Sequence, residues 1–132
     1  GKIVMAVNTH YDHVGKEARK QSSLLIIRKI EEIVGEQPAV LTGDFNITDQ
    51  TEAYHTLVSN EFVLLDAHKV AEKTAGASYT YHGYATVAPE KCSKIDFVFV
   101  TPNIKVLHSE ITPEVKEALL SDHNPQWTDL EF

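Results

Sequence analysis

The chain has 132 residues, of which 42% are hydrophobic and 23% charged, with a formal net charge of −7. Such a length buries a core without staples, the single Cys92 excludes an internal disulfide framework, and no apolar run reaches the roughly 20 residues of a membrane span. The acidic balance, with no Lys/Arg cluster, disfavours holding nucleic acid by bulk charge, yet carboxylates around a divalent cation still suit phosphates.

In chain order, "KIVMAVNTHY" reads as a strand that turns polar at its end, where Asn8, His10 and Asp12 project to one side of an extended chain. A plain polar loop accounts for them equally well. Residues 16–34 read as a helix with an apolar stripe of Ile26, Ile30, Ile33 and Val34, stopped by Gly35. "PAVLTGDF" is the next strand and delivers Asp44 and Asn46 two residues apart, on one side; a glycine turn with an Asx cap is the equal alternative. Asp49 with Glu52 forms a capping-box-like start for a helix carrying Ala53, Leu57 and Val58.

"FVLLDAHKVAEK" reads as a short strand or loop feeding a helix, and "SYTYHGY" alternates as a strand would. "KIDFVFV", "IKVLHSEI" and "PQWTDLEF" read as three further strands, with Thr101, Pro102 and Asn103 turning the first into the second. Asp96 is the one polar residue from Ile95 to Val100. Such a buried carboxylate costs several kcal/mol unless a cation, a histidine or N–H donors pair with it. "LLSDHNP" places Asp122 and His123 in a tight loop, where an exposed histidine in a turn is the simpler reading.

The expected class is α/β: one mixed sheet of about six strands with helices on one face. Parallel strands need cover on both faces, so something else must cover the second. Four strand ends carry Asp, Asn or His, and strand ends along one edge of an α/β sheet are where such folds place sites. No Ser or Cys nucleophile motif accompanies them. Carboxylates suit a hard cation, and amides with imidazoles suit an anionic oxygen, which together point to metal-assisted phosphoester hydrolysis by water.

"NTH", "GDFN", "KIDFVFV" and "SDHNP", in this order, resemble the C-terminal half of the endonuclease/exonuclease/phosphatase superfamily, the DNase I-like fold, over essentially residues 1–132. The resemblance implies one layer of a four-layer α/β sandwich. It implies His123 as the catalytic histidine, Asp96 as its carboxylate partner, and Asp44 as the group that orients or deprotonates the attacking water. Asn46 would hold a phosphate oxygen or shape the water site, His10 would donate to a phosphate oxygen with Asn8 as a substrate-side neighbour, and Asp122 would sit at or near a divalent-metal site, normally Mg²⁺ or Mn²⁺. The family's principal metal-ligating glutamate, an early asparagine and the acidic partner of the first histidine belong to an N-terminal half not found in this chain. A C-terminal fragment, inactive alone, is therefore expected. Gly1 is no natural start, so a removed leader and the cellular location stay open.

A fragment of this kind would expose an apolar sheet face and pair through it, most simply as a homodimer. The phosphoester class is left open, because selectivity lies in loops. "SYTYHGYATVAPEKCS" is the candidate selectivity loop, with Tyr79, Tyr81, His82 and Tyr84 available to a substrate, against the alternative of a Tyr-rich edge strand. Two rivals stand. His10, Asp12 and His13 match part of the zinc signature of metallo-β-lactamase-type hydrolases, with Asn8 where its first histidine belongs. A non-catalytic binding module on the same scaffold is the other.

Overall fold

The computed structural model describes residues 3–59, 62, 64–113 and 120–132; Gly1, Lys2, Val63 and Leu119, in or beside expected segments, lie outside them. Among the described residues the order is β1 (Met5–His10), α1 (Lys16–Val34), β2 (Ala39–Asp44), α2 (Glu52–Val58), β3 (Leu65–Asp66), α3 (Ala67–Val70), β4 (Lys73–Gly76), β5 (Asp96–Val100), β6 (Lys105–Ile111) and β7 (Gln126–Glu131). The class is α/β, as the sequence reads, but the strands divide into a four-stranded sheet, β1-β2-β5-β3, and a three-stranded sheet, β4-β6-β7. Only β1 and β2 run parallel within the larger sheet; β5 is antiparallel to β2 and β3. The division begins at Thr101. Its hydroxyl accepts from the Ala39 N–H at 2.9 Å, which ends β5 against the start of β2 and releases β6 to the second sheet.

Alternation along the strands separates two cores. Leu41, Phe97 and Phe99 face α1 and α2, with Ile27, Ile30, Tyr54 and Leu57 among the buried helix residues opposite. Phe45 is fully buried at the centre of this core, with Tyr11 and Phe99 rings at 4.9 and 5.1 Å. Each such side chain contributes about 2–3 kcal/mol through burial. On the opposite face, Val98 and Val100 pack with Val106 and partly buried Leu130 of the smaller sheet. The second face is thus covered over β5 by the chain itself. Toward β1 it is open, and Ala6, Asn8 and His10 are exposed.

Three local expectations change. The buried stripe of α1 is Ser23, Ile27, Ile30 and Val34, spaced four, three and four, while Ile33 is exposed. Helix α2 is capped by Thr51, whose hydroxyl accepts from the Tyr54 N–H; Asp49 is instead paired with Lys69 at 2.8 Å. "SYTYHGY" forms no strand beyond isolated bridges from Tyr81 to Ser93 and to His123. Gly83, Tyr84 and Ala85 take φ of 56°, 55° and 57°, a left-handed turn that no pleated strand can contain.

Candidate active site

Strand β1 ends at His10 and β2 at Asp44, facing each other in register, and Asp44 in turn faces Asp96 at the start of β5. Three polar side chains therefore meet at one sheet edge. Gly43 permits the approach: a Cβ there would lie 1.9 Å from the Thr9 carbonyl oxygen. Past the strand, Phe45 turns into the aromatic core while Asp44 and Asn46 turn the other way. Asn46 has φ 49°, a left-handed conformation that asparagine tolerates. Its N–H donates to Asp44 Oδ1 at 2.8 Å and its side-chain amide to the Tyr11 carbonyl at 2.9 Å. The Asx turn and the site thus use the same residues. Asp44 gives Oδ1 to the turn and points Oδ2 at His10 Nε2, 3.4 Å away, and at His123 Nε2, 3.9 Å away.

His123 reaches this edge from the loop before β7. Its Nδ1 lies 2.7 Å from Asp96 Oδ2, so the imidazole donates there and turns Nε2 toward Asp44. The partner demanded by a carboxylate in an apolar strand is this histidine. The ring of Tyr81 packs edge-on against His123, with centroids 5.1 Å apart. Asp44, Asp96 and His123, together with Thr42, Val98, Ser121, Asn124 and Gln126, line a cleft of about 790 Å³.

The other expected residues have definite places. Asn8 lies on the open face and donates to the Thr42 hydroxyl and carbonyl at 2.9 and 3.2 Å. His82 is buried, and its Nδ1 accepts from the Ala85 N–H at 3.2 Å, bracing the left-handed turn. Asp122 offers its carbonyl to the His82 and Gly83 N–H groups. Its carboxylate is outside the one group of facing ligand atoms among the described residues, Asp44, Asp96 and His123, which lie within 4.8 Å of one another. Asp12 does not continue the β1 row. Its Oδ1 accepts from Val14 and Gly15 N–H at 2.6 and 3.0 Å ahead of α1, and these bonds hold its carboxyl below the usual carboxylate range. Within the zinc-type signature, Asp12 thus serves the approach to α1 while His10 ends β1 facing Asp44.

One neighbour of the site and one lysine outside it escaped the sequence reading. Asn124 is buried and donates to the Tyr79 carbonyl at 3.2 Å; its place beside His123 in "SDHNP" was the available signal. Lys94, outside the cleft and just ahead of β5, has its Nζ 3.5 Å from the Phe97 ring centroid and 3.9 Å from Asp66, and burial pushes its amine down to about 8. Nothing in "EKCSKIDF" distinguishes it from a surface lysine.

A family model described as the endonuclease/exonuclease/phosphatase family matches residues 3–123. A Bacteroides vulgatus structure described by the same family name is 64% identical with a TM-score of 0.96, and the match covers 99% of this chain and 50% of that one. A mannosyl-6-phosphatase from Bacteroides thetaiotaomicron VPI-5482 is 31% identical with a TM-score of 0.79, covering 95% of this chain and 50% of that one. A D. rerio TDP2 structure complexed with a single-strand DNA product is 16% identical at a TM-score of 0.71, covering 96% and 56%, and is similar in fold alone. The chain spans about half the length of these solved structures. Among curated proteins no match was found.

Proposed function

This chain belongs to the endonuclease/exonuclease/phosphatase family, and from that membership we propose that it is the C-terminal half of a divalent-metal-dependent phosphoesterase that hydrolyses its substrate with an activated water. The observation that carries the reading is the 2.7 Å contact of His123 Nδ1 with Asp96, which leaves Nε2 facing Asp44 in the cleft. In this mechanism Asp44 Oδ2 orients the attacking water and accepts its proton. His123 Nε2 and His10 donate to the phosphoryl oxygens, where charge accumulates, and such preorganised donors lower the barrier. Asn46, fixed by its bond to the Tyr11 carbonyl, shapes the water's position. Asn8 and Tyr81 border the substrate, with His82 behind them.

The donor set suits a hard cation in kind, with two carboxylates and an imidazole within 4.8 Å. Mg²⁺ takes few protein carboxylates and keeps several waters, so Asp44 on this chain, with a carboxylate from outside it, would hold Mg²⁺ or Mn²⁺, while Asp122, whose carboxylate is outside this group, would stand near the ion without ligating it. A cation held there would supply Lewis-acid polarisation of the phosphoryl oxygen. The substrate to test first is a phosphorylated sugar, since the 31%-identical relative is described as a mannosyl-6-phosphatase. Self-association belongs to the same reading. The open side of β1, with Ile3 and Val4 exposed just ahead of it, is available to a second copy.

The test is a panel of sugar phosphates, inositol phosphates, phospholipids and oligonucleotides, assayed with the longest natural polypeptide that carries this chain. Hydrolysis should require Mg²⁺ or Mn²⁺ and collapse in His123→Ala. Activity unchanged by that substitution overturns the mechanism.

A further inference from the structure

Asp96 and His123 stand 27 positions apart, one opening a strand and the other in a loop, yet one short segment is bonded to Asp96 and to both chain neighbours of His123. Thr80 is its centre and is completely buried. The Thr80 hydroxyl oxygen accepts from the Ile95 N–H at 3.0 Å and from the Asp96 N–H at 3.1 Å. Its carbonyl accepts from the Asn124 N–H at 2.6 Å, and its own N–H donates to the Ser93 carbonyl at 3.1 Å. The flanking residues repeat the pattern. Tyr81 N–H donates to Ser93 at 2.9 Å, Tyr79 accepts from the Asn124 side chain at 3.2 Å, and His82 and Gly83 N–H converge on the Asp122 carbonyl at 3.0 and 3.1 Å.

A hydroxyl oxygen has two lone pairs, and Thr80 uses both on consecutive backbone N–H groups at the start of β5. Fixing the Asp96 N–H fixes the residue from which the carboxylate projects. On the other flank, the Thr80 carbonyl fixes the residue after His123. From the far side, Asp96 is held, among the described residues, by the β2 register and by the Phe45 N–H on the Ile95 carbonyl at 2.9 Å, and neither reaches the His123 loop.

We propose that Thr80 is a positioning residue for hydrolysis: its side chain sets Asp96, its backbone sets His123, and the hydrogen bond between those two depends on the clasp. The proposal rests on the function above only in taking Asp96–His123 as the working pair. Misplacing a reacting group by about 1 Å costs on the order of 10²-fold in rate, so a clasp of this kind is worth more to turnover than to the fold.

The hydrogen bond can be read without activity, as the downfield imidazole N–H proton of His123 in this chain, assigned by its loss in His123→Ala. Thr80→Val should lose or broaden that resonance with the circular dichroism spectrum retained, and Thr80→Ser, which keeps the hydroxyl, should restore it. If Thr80→Val does not fold, Thr80→Cys replaces it, with its weaker sulfur acceptor, and should broaden the signal. An unaltered resonance in the folded Val or Cys variant, or its loss in Thr80→Ser, overturns the clasp. In the longest natural polypeptide, Thr80→Val should lower kcat by on the order of 10²-fold with KM nearly unchanged, and Thr80→Ser should recover it. Loss of the resonance with undiminished turnover would keep the clasp and overturn the catalytic role of the pair.

Discussion

Asp44 is asked to do two things at once, and its two oxygens divide them: Oδ1 closes the turn with the Asn46 N–H, Oδ2 faces His10 and His123. Replacing Asp44 therefore costs structure as well as chemistry, whereas His123, half-buried at the cleft, is the cleaner probe. Removing a positioned acid–base group costs about 10²–10⁴-fold in rate, and His123→Ala should lose that much turnover with its circular dichroism spectrum retained. Tyr11 anchors the same corner from below. It is buried with its hydroxyl 3.2 Å from Ser23 Oγ, and burial pushes its phenol from 10.0 to about 12. A raised folded-state value means the stabilisation is full below pH 10, where both states keep the proton, and is lost as pH rises through 12. Two units correspond to at most about 3 kcal/mol. Urea titrations at pH 8 and pH 11 should show wild type losing more stability than Tyr11→Phe; parallel losses would sink this assignment.

Strands with alternating or unbroken apolar runs were readable because their periodicity is local. β1, β2, β5, β6 and β7 all appear where the pattern of Val, Ile, Leu and Phe puts them. Asp96 was the most legible site residue for the same reason: a lone carboxylate in "KIDFVFV" demands a partner. "SYTYHGY" misled because its alternation is real while its backbone is not extended, being bent by residues whose left-handed φ leaves no trace in hydropathy. Thr80 was invisible for a related reason, since one buried hydroxyl bonded to backbone has no periodic signature. In that turn Ala85 pays for a left-handed conformation at about 1 kcal/mol. Ala85→Gly should accordingly leave the fold unchanged and raise the thermal midpoint, and a fall in the midpoint would show that the turn carries no such strain.

Among the described residues the first strand has a free edge and an open face, and the chain matches only half of its solved relatives' length. Alone, it should show no Mg²⁺- or Mn²⁺-dependent turnover on the phosphoester panel; robust activity would mean that no ligand from outside these residues is needed. The open β1 side should also drive association, seen as a dimer mass in light scattering as concentration rises. A monomer throughout that range would remove the open face as an interaction surface. Asp44→Asn should not alter the mass, because that side chain serves the cleft.

The antiparallel facing of Asp44 with Asp96 also governs how the sheet can go wrong. Side chains alternate along a strand, so slipping β5 by one residue exchanges Asp96 with Phe97. A carboxylate would then enter the aromatic core as a phenyl ring entered the cleft. Such a chain has no half-working form: the misregistered sheet loses core and chemistry in one step. The two carboxylates act as a checksum on strand pairing, and a sheet built this way cannot be both misregistered and in possession of its cleft.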